Sequence, residues 1–187
     1  MKSKFQNNIM IFFSFHSERF QKDATKRDAT QTKANFHEFQ NELIWKLDQF
    51  IADEHYGNDL FKHNFESIMM DHCEKHTSIR DPGIKYVKLT TRLIELLLDY
   101  RDTKISNDSK MNLMSCTVNL INFYNPDNIH GDLAANILEL YVKYLRELSE
   151  LHQKSQHHAE AGFTILKFAS PLLQWSDQPL EFRYTNT

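Results

Sequence analysis

Apolar residues recur at helical spacing through nearly the whole chain after residue 35, and very little interrupts them. Phe36, Phe39, Leu43, Leu47 and Phe50 stand at i, i+3, i+7, i+11 and i+14, with Ile44 and Ile51 widening the stripe. Only four glycines and four prolines punctuate the 187 residues. A β-rich fold needs many tight turns and normally spends more glycine on them. The pattern therefore predicts an all-α fold: an antiparallel array of about six helices joined by few loops.

The first helix is expected to start near Asn35, a reasonable N-cap, and to stop before Gly57. The second runs from about Asp59 to His76, with Phe61, Phe65, Ile68, Met69 and Cys73 on its apolar face. The third follows Asp81-Pro82-Gly83, where Asp81 can cap and Pro82 suits the first helical position. It carries Ile84, Val87, Ile94, Leu97 and Leu98 to about Tyr100, and the stretch from Asp102 to Ser109 reads as a loop. Ser106 or Asp108 is the expected cap of the fourth helix, which carries Met111, Met114, Val118 and Ile121 until Asn125-Pro126 ends it. The fifth has Leu133, Ile137, Leu140, Tyr141, Tyr144, Leu148 and Leu151 on one broad face. The sixth begins near Gln156, with Ala159, Phe163, Leu166, Ala169 and Leu173 as its apolar positions and small residues at its start. Pro171 is expected to interrupt it, since an interior proline costs about 3 kcal/mol unless the helix kinks or ends.

The ends read differently. Ile9 to Phe15 is strongly apolar but far short of a membrane span, and no cleavage pattern marks it as a secretory signal. Glu18 to Ala34 is polar without an apolar period and reads as a solvated linker. The organisation expected is therefore a segment and linker over 1–34, a helical lobe over 35–178 and a tail over 179–187. The formal net charge of −3 comes without a Lys/Arg cluster, which argues against nucleic acid as a partner. Cys73 and Cys116 have no metal or redox spacing, so a reducing, cytoplasmic setting is the default.

Candidate chemistry is sparse. His72 and His76 have the i, i+4 spacing of helical zinc ligands, but Cys73 stands where a zinc protease needs glutamate and no third ligand is marked. His157, His158 and Glu160 read equally as a solvated helix start. Cys73 and Cys116 sit beside apolar-face positions, where cysteine behaves as a small hydrophobe. No Gly-rich phosphate loop or GxSxG element is present. The residues thus point to a helical interaction module with no catalytic, cofactor-binding or metal residue.

Several ordered motifs go further. They are Leu97-Leu98-Asp99-Tyr100-Arg101, Asn112 to Asn119, Asn122-Phe123-Tyr124, Tyr141 to Leu148 followed by Leu151-His152, Ala159 to Thr164, and Leu172 to Asp177. Asn41 to Asp48 and Asp71 to His76 fit upstream. Together they resemble the dedicator-of-cytokinesis (DOCK) proteins over roughly residues 36–180, most closely the Rac-activating subgroup. The resemblance marks Asp99, Tyr100, Arg101, Ser115, Cys116, Asn119, Asn122, Tyr124, His152 and Trp175 as structural motif residues. Arg101, Asn119 and Asn122 are expected to be inter-helix hydrogen-bond groups.

The resemblance implies the first helical lobe of the DOCKER domain, the guanine-nucleotide exchange unit of that family. In the family two further lobes bind the Rho/Rac-type GTPase, and their sequence is not found here. The expectation is a supporting lobe without exchange activity of its own, whose partners are the remaining lobes and, through them alone, a GTPase. A homo-oligomer is left open. The alternative is a stand-alone interaction module or decoy regulator of a full-length DOCK protein. Whether the chain is a fragment or a short natural product is left open by the sequence.

Overall fold

A computed structural model describes residues 40–53, 56–75, 80–106, 109–125 and 135–176. The expected N-terminal segment and linker, Phe36, Phe39, His76, Asp108, Pro126, Leu133 and the C-terminal tail lie outside the described residues. Among the described residues every regular element is helical and the architecture is an all-α helical array. The elements are α1 (40–48, running into a π-helical turn Gln49–Asp53), α2 (Asp59–Lys75), α3 (Arg80–Ile105), α4 (Lys110–Tyr124), α5 (Ala135–Lys154) and α6 (His158–Ser176). They fall into two compact units divided between Asp102 and Thr103, within α3.

The first unit is built on the apolar faces of α1, α2 and α3. Leu43, Leu47, Ile51, Phe61, Phe65, Met69, Val87, Ile94, Leu97 and Leu98 are buried there, as their spacing predicts, and Leu93 is buried beside them. Ile68 departs from its predicted face and is exposed. The π turn carries Phe50, Ile51 and Ala52 into this core. Its exit is fixed by the Tyr56 N–H, which donates to the Phe50 carbonyl at 3.1 Å, while the two rings stack 5.1 Å apart. Gly57 then takes φ +87°, a left-handed conformation open to glycine at little cost. Asn58 Oδ1 accepts the Phe61 N–H at 2.9 Å and so caps α2.

Helix α3 starts before Asp81-Pro82-Gly83 and not after it. Pro82 falls in the first turn, where its missing N–H would have no helical partner anyway. The helix also passes Tyr100 and ends at Ile105. Its buried stripe Val87, Thr90, Ile94, Leu97 continues in register to Arg101, a position that a count of apolar residue types does not register.

In the second unit α4 packs on α5 and α5 on α6. Tyr124 and Tyr144 are fully buried and their rings stack 5.7 Å apart. Lys143 places its Nζ 5.1 Å from the centre of the Tyr144 ring. Ser109, not Ser106, caps α4, its Oγ accepting the Met111 N–H at 3.2 Å. Helix α5 ends in a Schellman turn: the His157 N–H donates to the His152 carbonyl at 2.9 Å and the Gln156 N–H to the Gln153 carbonyl at 3.0 Å. Gln156 takes the left-handed position of that turn with φ +62°. Helix α6 therefore starts at His158, two residues after the position its pattern indicates. It runs on through Pro171 to Ser176, so the proline removes one helical donor without ending the helix.

Candidate functional site

No group of three or more His, Cys, Asp or Glu able to hold a metal ion occurs among the described residues. Cys73 is buried, and burial pushes its thiol above the ordinary value, which disfavours the nucleophilic thiolate. The reason for a small residue there is visible in its neighbour. A Cβ built on Gly83 would stand 2.7 Å from the Cys73 Sγ, so α2 and α3 meet where glycine lets the sulfur fit. Cys116 is half-buried, with its Sγ 3.7 Å from the Thr103 Oγ1. His72 is half-buried, His157 and His158 are exposed, and the His152 and His157 rings lie 5.9 Å apart at the turn between α5 and α6.

The motif residues separate into an inward and an outward set. Tyr100 and Tyr124 are buried, each within its own unit. Arg101 is buried and charged. Its Nη1 donates to the carbonyls of Tyr56 at 2.8 Å and Gly57 at 2.9 Å, and its Nε donates to Asp102 Oδ1 at 2.8 Å. The guanidinium therefore ties the α1–α2 connection to α3. It bonds a connecting loop, where the sequence reading expected a bond to another helix, because Gly57 turns two carbonyls toward it.

Asp99, Ser115, Asn119 and Asn122 face outward. The last three stand at i, i+4, i+7 along α4, beside exposed Met111 and Val118, so Asn119 and Asn122 lie on the outer face of that helix. The Asp99 carboxyl is raised above the usual carboxylate range by desolvation and by the Glu95 charge, with Arg92 and Lys62 opposing. His152 is half-buried. Trp175 lies in the helical backbone of α6, and its side chain is outside the described residues.

The largest departure from the sequence reading is on α6. Phe163 and Leu166 were expected to face the core, yet they are 69% and 67% exposed. Ala161 and Thr164 are buried in their place, the Thr164 hydroxyl donating to the Glu160 carbonyl at 2.8 Å. Ala159 and Gly162 share the outward side, and a Cβ on Gly162 would meet nothing within 4 Å. Helix α6 is thus apolar on two sides, with its bulkier residues outward. Periodicity locates an apolar stripe but does not say which surface covers it.

No protein-family model matches the chain. Human dedicator of cytokinesis protein 4 is 36% identical over 146 residues, a match covering 78% of this chain and 7% of that protein. Human and mouse dedicator of cytokinesis protein 3 are each 34% identical over 155 residues, with the same coverage. No described helix is long and apolar enough to cross a membrane. The chain is homologous to a short segment of dedicator-of-cytokinesis proteins, spanning about 7% of the length of the relatives it matches.

Proposed function

We propose that this chain is a supporting helical lobe of a dedicator-type guanine-nucleotide exchange factor acting on Rho/Rac-family GTPases in the cytoplasm. The lobe corresponds to the first of the DOCKER domain and has no exchange activity alone. The observation that carries the reading is the outward face of α6, with Ala159, Gly162, Phe163 and Leu166 on it. Two large apolar side chains beside two small residues form a surface on which another helix can pack closely. The occupant on this reading is the lobe that would follow in such a protein, and the similarity to a short segment of much longer relatives supports it. The stacked Tyr124 and Tyr144 rings in the same unit help to hold that face in shape.

Two measurements test this. Release of fluorescent GDP from Rac should be unchanged by the chain alone, and accelerated release overturns the non-catalytic assignment. In a pulldown the chain should bind the following lobe of a dedicator protein at micromolar concentration. Phe163→Asp with Leu166→Asp should abolish that binding and leave helical content intact, because both residues are solvent-exposed. The same surface favours a second reading, a decoy that occupies the lobe interface of a full-length relative. Competition by the chain against the native lobe separates the two.

A further inference from the structure

We propose, on the reading that α6 faces the next lobe, that its outer face takes an antiparallel helix of that lobe whose rim carries an acid and, two turns later, a base. Ala159, Phe163 and Leu166 are spaced by four and then three residues, the repeat of a coiled-coil seam. Glu160 and Lys167 each directly follow a seam residue, so both stand on the same edge of it. They are seven residues apart, which is about 10 Å along the helix. No other Asp, Glu, Lys or Arg occurs in α6. The opposite edge of the seam carries Gly162 and Ala169 and no charge.

Glu160 and Lys167 are exposed, and neither carboxylate nor ammonium has an ion pair among the described residues. The Thr164 hydroxyl bonds only the Glu160 backbone carbonyl. Charges on the rim of an apolar seam add little affinity, but they select the partner and its direction. A helix docked here therefore sets a base opposite Glu160 and an acid opposite Lys167. Running antiparallel, it reaches Lys167 first, so acid precedes base along its own chain. That order suits its own dipole, which favours carboxylates toward the N-terminus and cations toward the C-terminus. Running parallel, it would need base before acid, the order that the same dipole opposes. Helix α6 itself has the favoured order, with Glu160 in its first turn. The match covers 7% of the relatives' length, which leaves most of such a protein to supply the docking helix.

Titration of the full chain against the following lobe of a dedicator protein tests the rim, using Glu160→Lys, Lys167→Glu and the double reversal. Both positions are exposed, and circular dichroism checks that helical content is kept. Each single reversal should weaken binding about fivefold at low ionic strength, and salt of about 0.5 M should close the gap to wild type. Direction is read with a stapled helical peptide of about three heptads, with a Leu/Ala seam, Glu and then Lys one heptad apart on its edge, and a spin label at its N-terminus. On the wild-type chain the label should broaden amide signals beyond Lys167 and spare those at His158. On the double reversal the peptide should turn round and broaden the His158 end. Lobe binding that ignores the reversals, or a peptide direction that ignores them, overturns the proposal and leaves the lobe reading standing. If the edge pairs instead with a second copy of the chain, the reversals change the chain's own sedimentation and not its lobe binding, which also overturns it. A lobe that binds not even the wild type overturns the lobe reading and the proposal together.

Discussion

Single side chains decide two close approaches in the first unit. Gly83 leaves room for the Cys73 sulfur, and a methyl there would come within 2.7 Å of it. Gly83→Ala should lower stability by about 1–2 kcal/mol, the overpacking cost net of the gain in helix propensity. Combined with Cys73→Ala, which removes the clashing atom, the loss should shrink below the sum of the two single effects. Urea denaturation of the four-member cycle reads that coupling, and simple additivity would count against the contact. Arg101 is the second case. Arg101→Ala leaves the Tyr56 and Gly57 carbonyls without their charged donor, a loss of about 2–4 kcal/mol. Amide exchange should rise first in the connection around Gly57, ahead of α2. Both contacts involve residue types visible in the sequence, but only the fold brings Gly83 against Cys73, ten positions back along the chain.

At the scale of elements, helix existence was legible and helix ends were not. The interiors of α1 to α5 bury most of the residues that periodicity selects, because a stripe at 3.6-residue spacing has one low-energy placement; Ile68 on α2 and Met111 and Val118 on α4 were selected too and are exposed. The ends depend on single hydrogen bonds that periodicity does not encode. Ser109 and not Ser106 caps α4, since only its hydroxyl reaches the Met111 N–H. Pro82 belongs to the first turn of α3, and Pro171 leaves α6 continuous. The turn between α5 and α6 allows a direct test. Gln156 occupies the left-handed position that glycine usually fills, with φ +62°. Gln156→Gly should raise the thermal midpoint by relieving up to about 1 kcal/mol of backbone strain. Gln156→Val, with its branched Cβ in the same conformation, should lower it. Equal midpoints for the two variants would mean that the left-handed conformation is not maintained in solution.

Across the whole molecule, residue type alone did not separate core from contact surface. Phe163 and Leu166 look like core residues in the sequence and face outward in the fold, while small Ala161 and Thr164 take the interior. A chain that represents about 7% of its relatives' length can carry, on its own outside, the interior of a larger assembly. Gly162 turns this into a prediction whose sign depends on what covers it. In the free chain nothing lies within 4 Å of a Cβ at that position, so Gly162→Ala should stabilise α6 by about 0.5–1 kcal/mol through helix propensity. If a helix of the following lobe packs closely over Gly162, the added methyl occupies the space that helix needs. Binding to that lobe should then weaken about tenfold while the free chain becomes more stable. Thermal melts and titration of the two purified components measure both halves. Stabilisation without any loss of binding would place the lobe contact elsewhere on the molecule and leave the α6 face to another occupant.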